Sequence, residues 1–180
     1  MGLIYFCVSM NLEIIPRTAL EAFEMMPEGT HCELIDNAIY MSPAPTWTHQ
    51  NLVKHLLIKI DNFIQTQNFG GIVLSDCDIY IDEENVFRPD VFFIDATNIH
   101  ILHEDGKIKG VPTIIIEILS KGTHKIDRGK KKDKYFAAGV KEYWLIDQKT
   151  KKCTGFVQKK LLGEFDSELH FSELDLIIKI

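Results

Sequence analysis

Three carboxylates stand where carboxylates are not expected. Glu117 lies in the middle of the β-branched run Ile114 to Leu119, whose composition is that of a strand buried on both faces. An ionised carboxylate in a low-dielectric interior must be paired, protonated or bound to a cation, because leaving it alone costs more than a strand recovers. Asp90 follows Pro89 inside a second apolar run, Val86 to Ile94, where a residue that donates no ladder hydrogen bond bends the chain and can re-aim the next side chain. Glu33 sits on a third short run. If the three converge, they form the hard-oxygen set that Mg²⁺ or Mn²⁺ prefers, and such an ion can activate water or stabilise a phosphoryl transition state. The bland alternatives are a Pro-Asp turn for Asp90, a buried salt bridge to Lys or Arg for Glu117, and a solvent-facing position for Glu33.

A complementary charge follows Glu117. Between Lys121 and Lys134 there are seven Lys or Arg against two Asp, the one strongly basic stretch in the chain. Asp127, Lys131 and Tyr135 recur at four-residue spacing and so share a helical stripe, with Lys130 and Lys134 on the adjacent one. As a solvated face, the stretch would carry an Asp127–Lys131 ion pair worth a few tenths of a kcal/mol.

The elements that must position these groups can be read in order. Thr18 and Glu21 form a capping-box pattern for a short helix ended by Pro27. A hairpin spans His31 to Ser42 with Asp36-Asn37 as its turn, and a long amphipathic helix runs from Thr46 or Thr48 to about Gln67. Two strands, Ile72 to Ile81 and Val86 to Ile94, flank the acidic turn 82–85, and residues 96–110 are irregular with one helical turn at most. The strand of Glu117, a helix from Lys125 or Asp127 to Ala138 closed by Gly139, and a strand Lys141 to Asp147 make a strand–helix–strand unit with a parallel return. The tail adds strands Lys152 to Lys160 and Glu168 to Phe171 and an apolar end. Tyr143 and Trp144 read as sheet packing, and Asp147 as a strand-end turn residue.

At 180 residues, with 46% hydrophobic and 26% charged residues, the chain suits one soluble domain. A formal net charge of −6 argues against coating nucleic acid through bulk charge while leaving a local basic patch free to bind it. Four dispersed cysteines without a CxxC pair fit reduced thiols in a cytoplasm. The apolar run 2–8 is too short to span a bilayer, no membrane association is expected, and residues 1–9 read as an extra leader if Met10 is the start.

The segments CELIDNAIYMSPAPTWTH, RPDVFFID, PTIIIEILSKGT and DRGKKKDKYFAAGVKEYWLID together resemble the Uma-type restriction endonuclease family of the PD-(D/E)XK nuclease superfamily. The resemblance covers nearly the whole chain after Met10 and is most specific from Glu117 through Asp127, Lys131 and Tyr135 to Trp144. It implies a single endonuclease-like domain over 10–180, with an α/β restriction-endonuclease-like core in which a mixed β-sheet is flanked by helices. Asp90 would be the motif aspartate and Glu117 the second acid. The plain superfamily motif has a lysine two residues beyond that acid, where this chain has Leu119; the family pattern instead places one at Lys131 on the next helix. Glu33 matches an acidic position in an ELIDG-like segment, with Asn37 for the usual glycine, and His49 also fits the pattern, although it would serve equally as a helix-start or core histidine.

The expectation is a Mg²⁺- or Mn²⁺-dependent enzyme acting on DNA. Asp90 and Glu117 would hold the metal with the Ile118 carbonyl, and Glu33 through water. Lys131 would serve catalysis, Asp127 and Tyr135 would support it, and Lys125, Arg128, Lys130 and Lys134 would bind phosphate, in a chain acting as a homodimer. The rival is a catalytically inactive protein on the same scaffold with a binding or regulatory role. A serine hydrolase built on Ser120 lacks the GxSxG elbow.

Overall fold

The computed structural model describes residues 15–120 and 126–180; the leader 1–9, Lys121 and Lys125 lie outside them. Two mixed sheets form its frame. The first has the order β2-β1-β5-β4-β7, from β1 (Cys32–Ile35), β2 (Ala38–Met41), β4 (Ile79–Asp82), β5 (Asn85–Phe87) and β7 (Ile108–Lys109). The second has the order β11-β10-β9-β8-β6-β3, from β3 (Ile72–Leu74), β6 (Val91–Ile94), β8 (Ile114–Leu119), β9 (Glu142–Asp147), β10 (Lys152–Val157) and β11 (Lys160–Asp166). A small hairpin, β12 (Glu168–Phe171) with β13 (Leu176–Lys179), completes the strands.

Alternation along each strand divides the core. Ile114, Ile116 and Ile118 of β8 join Trp144 and Ile146 of β9 on the face covered by α2 (Trp47–Thr66) and the β12–β13 hairpin. Ile115 and Leu119 face the other way, with Tyr143 and Leu145, onto Ile35, Ile79 and Phe87 of the first sheet and onto α3 (Lys132–Ala138). Glu117 belongs by parity to this second face, and on β1 so does Glu33, next but one to Ile35. The outer face of the first sheet is closed by α1 (Ala19–Glu24), whose Phe23 packs on Cys32, Leu34 and Val86.

Local chemistry explains the elements. Thr18 caps α1 by accepting from Glu21 N, and Thr46 caps α2 by accepting from His49 N. Asp36 and Asn37, at φ 51° and 59°, make the left-handed pair that a two-residue hairpin needs. β8 and β9 run parallel, as the strand–helix–strand reading requires. Gly139, at φ 111°, ends α3 in the left-handed conformation.

Two expected strands are each two strands. Ile72 to Ile81 breaks at Asp76, whose φ is 53°, and Val86 to Ile94 breaks at Arg88-Pro89-Asp90. The pair is one long hairpin folded across its middle. Its tip, β4 and β5, pairs in the first sheet, and its base, β3 and β6, in the second. Residues 160–166 add a strand that was not expected, paired to β10 through a turn at Gln158-Lys159, and 96–101 form a 3₁₀ segment.

Trp144 anchors the centre of the larger sheet. Its indole N–H donates to Glu142 Oε1 at 2.8 Å, and the same carboxylate accepts Ser172 N and Glu173 N, tying the β12–β13 hairpin to β9. Gly155 lies opposite Trp144, and a Cβ there would stand 2.6 Å from the ring. Because Trp144 is fully buried, the ring has nowhere to move, and Gly155→Ala should cost about 1–3 kcal/mol, read as a lower urea midpoint with an unchanged m-value.

Candidate active site

The folded hairpin bends at the mouth of a cavity of about 220 Å³, whose wall carries Asp90, Arg88 and Asp76 from the bend, Glu33 from β1, and Glu117 and Ile118 from β8. It also takes in His49 from α2 and Lys131 and Asp127 from the turn before α3.

Each carboxylate arrives for a backbone reason. Continuing the β6–β8 register two residues beyond Val91↔Ile116 would set Pro89 opposite Ile118, and Pro89 cannot sustain regular pairing. The Asp90 carboxylate takes over, accepting Ile118 N through Oδ2 at 2.6 Å. Its Oδ1 faces His49 Nε2 at 3.1 Å. Glu33 clamps the same crossing from the other side by accepting Arg88 N at 2.8 Å. Arg88 is held further by Asp78 and by the carbonyl of Thr30.

Lys131 lies at the centre. Its ammonium is 2.7 Å from Glu117, 2.8 Å from Glu33 and 3.5 Å from Asp127, with side-chain exposures of 3% for Lys131 and 4% for Glu117. It is therefore not part of a solvated lysine face, and Glu33 does not face solvent. The chain reaches this geometry through a π-helical turn, Asp127–Lys131, before the regular helix begins. Such a turn adds a residue to the helical repeat and reorients the side chains that follow. Tyr135, one turn on, donates its hydroxyl to Glu117 Oε1 at 3.2 Å, and Tyr143 donates to the carbonyl of Asp127 at 3.0 Å.

Three carboxylates, Glu33, Glu117 and Asp127, thus stand around one ammonium, and a fourth, Asp90, lines the same cavity with His49 beside it. Burial pushes Glu117 well above the usual carboxylate range; Lys131 opposes that shift, and the neighbouring acids add to it. Burial also works against the Lys131 ammonium, but Glu117 and Glu33 outweigh it and keep the group charged. For His49, burial is likewise opposed, and exceeded, by the pairing with Asp90, so the imidazole lies above its usual value. Its Nδ1 is buried without a hydrogen-bond partner among the described residues.

The surplus of negative charge would be relieved by a bound cation. Among the described residues no three His, Cys, Asp or Glu side chains are gathered to hold a metal by themselves. The donors at hand are oxygens: the Asp90 and Glu117 carboxylates and the carbonyl of Ile118, which points to the same strand edge as the N–H that Asp90 holds. Two carboxylates, a carbonyl and several waters fit Mg²⁺ or Mn²⁺, which retain much of their hydration, better than they fit Zn²⁺.

The structure also locates the remaining residues singled out in the sequence. Lys130 and Lys134 both turn onto Asp36 of the β1–β2 turn, at 3.3 and 2.5 Å, and Arg128 is exposed on the π-helical turn. Ser120 lines the cavity but has no nucleophile elbow around it. Tyr143 and Trp144 are fully buried sheet residues, and Asp147 accepts Lys149 N and Thr150 N at the end of β9. Arg88 and Gln148, which donates to Thr48, were not singled out; the signal for Arg88 was its place beside Pro89-Asp90.

The family model Uma2, described as "Putative restriction endonuclease", matches residues 19–176. The chain belongs to this family. No curated protein matches it. A crystal structure described as "a putative nuclease belonging to DUF820 from Anabaena variabilis ATCC 29413" superposes with a TM-score of 0.77, covering 91% of this chain and 95% of that one at 18% identity, a likeness of fold. Among the described residues of this Uma2 protein, no helix is long and apolar enough to cross a membrane.

Proposed function

We propose that this Uma2 protein hydrolyses phosphodiester bonds of DNA with a divalent metal, Mg²⁺ or Mn²⁺. The observation that carries the reading is the buried ammonium of Lys131 held between Glu117 and Glu33 at the back of a cavity whose mouth is set by Asp90. It restores from a helix the lysine that Leu119 withholds from the strand.

Asp90 and Glu117 would hold the ion together with the Ile118 carbonyl, and the ion supplies a more acidic water and charge neutralisation at the phosphate. Lys131 directs its N–H bonds to the attacking water or to a non-bridging phosphate oxygen, where charge accumulates as the bond to phosphorus forms. Glu33, with its Oε1 already taken by Lys131 and Arg88 N, fixes the lysine and the bend. Tyr135 and Asp127 orient Glu117 and Lys131 from the helix side. His49 holds Asp90 in place from the first turn of α2.

The experiment is direct. Purified protein incubated with single-stranded and duplex DNA should cut at least one of them in Mg²⁺ or Mn²⁺ and stop in EDTA. A protein that binds the metal and leaves every DNA form intact is instead the inactive, ligand-binding version of the scaffold.

A further inference from the structure

We infer that the strand entering the cavity is unpaired, and that Trp47 is the platform on which one of its bases stacks. The inference rests on the nuclease reading and names its substrate class.

Trp47 is the first residue of α2 and stands between Thr46 and His49, both of which line the cavity. It is 79% exposed, the most open of the large apolar side chains among the described residues. A tryptophan this exposed adds nothing to the core, and its ring is an amphipathic surface that favours a partner. The segment before it, Ser42 to Thr46, forms one wall of the cavity and contains two prolines, which limit the freedom of its backbone. The ring does not itself line the cavity; it belongs to the exposed surface next to this wall, one residue on from Thr46.

Charge supplies little of the grip on a strand here. A backbone, single or double, is held by cations that neutralise its phosphates, so where free cations are few the face of an unpaired base must supply the affinity. Among the described residues the wall carries five acids, Glu33, Asp76, Asp90, Glu117 and Asp127, against Arg88 and Lys131. Both cations are engaged, Arg88 by Asp78 and Lys131 by the buried carboxylates. Lys130 and Lys134 are drawn together onto Asp36.

Depth points the same way. Glu117 and Lys131 are almost wholly enclosed, so the scissile phosphate must pass inward to reach them. A flexible single strand can deliver one, whereas a base in a duplex already has both faces covered by its neighbours. An unpaired base offers its π-face to an aromatic ring, and that contact tolerates any sequence.

The test separates binding from chemistry. The full-length protein is titrated with a short single-stranded DNA of mixed sequence and with the corresponding duplex, with Ca²⁺ in place of Mg²⁺ and tryptophan emission as the readout. Trp144 is fully buried and serves as an internal reference, while Trp47 supplies the solvent-exposed emission. The single strand should quench the Trp47 emission and the duplex should not. Trp47→Ala should weaken single-strand binding about tenfold or more without changing thermal stability, and Trp47→Phe should recover most of the affinity. Absence of quenching, equal binding of duplex and single strand, or an unaltered affinity in Trp47→Ala overturns the inference. A protein that binds single strands through Trp47 but cuts nothing in Mg²⁺ or Mn²⁺ keeps the inference and refutes the nuclease reading. One that cuts duplex as readily as single strand, with no effect of Trp47→Ala, does the reverse.

Discussion

Lys131→Met is expected to lower metal-dependent cleavage by about a hundredfold to a thousandfold and to destabilise the fold by about 3–5 kcal/mol. The first effect follows from removing the only ammonium among the described residues that reaches both Glu117 and Glu33, and with it a donor aimed at developing charge. The second follows from burial. At 3% exposure the ammonium is not solvated, and without it three carboxylates face one another across the space that methionine fills. The two effects separate in a cycle. Glu117→Gln combined with Lys131→Met removes one of the surplus charges as well as the cation, so the double variant should recover part of the lost stability while remaining inactive. Urea denaturation of the four proteins gives the coupling, and cleavage is measured at a temperature where circular dichroism shows each to be folded. If the stability changes of the two single variants simply add, the ion pair is not what holds this end of the helix. If the single variant cuts at the wild-type rate, Lys131 has no part in the chemistry.

How much of this was legible before the structure depends on what each residue had to reveal. Glu117 was conspicuous because a charge inside a β-branched run has few explanations, and the alternation of β8 sends it to the face with Ile115 and Leu119, toward the helix. Pro89 told correctly that the chain bends and that Asp90 is re-aimed. What it could not tell is that the bend carries the chain from one sheet to the other, because Asp76, the matching break on the opposite arm, is an ordinary residue in a left-handed conformation. The β10–β11 turn was hidden for the same reason: Gln158 and Lys159 both take positive φ, 47° and 70°, with neither glycine nor asparagine to mark them. The stripe Asp127, Lys131, Tyr135 was visible as helical spacing, yet its burial was not, since lysines in a basic run ordinarily face solvent. Only the enclosing carboxylates of Glu33 and Glu117, from strands distant in the chain, change that expectation. Trp47 carried no signal at all, because exposure is a property of the fold, not of the residue.

Glu117→Gln provides the counterpart to the lysine variant, with the opposite balance between activity and stability. Glutamine keeps an oxygen that accepts from Lys131 and from the Tyr135 hydroxyl, the two contacts of Glu117 Oε1, so the packing of strand and helix is preserved. It gives up a charge in a cluster where Glu33, Asp90 and Asp127 already outnumber the single ammonium, and where burial disfavours the ionised form. The metal-free variant should therefore be at least as stable as the wild type, in contrast to the loss expected for Lys131→Met. Its activity should nevertheless fall by about a thousandfold or more, because an amide oxygen is a poor substitute for a carboxylate on a divalent ion. Calorimetric titration with Mn²⁺ supplies a readout that does not depend on turnover: the variant should bind at least about tenfold more weakly. A variant as stable as the wild type that binds Mn²⁺ equally well would leave Glu117 as the counter-ion of Lys131 and move the metal to Asp90 alone. Weakened binding with intact folding would assign the buried carboxylate to the ion and leave Lys131 to Glu33.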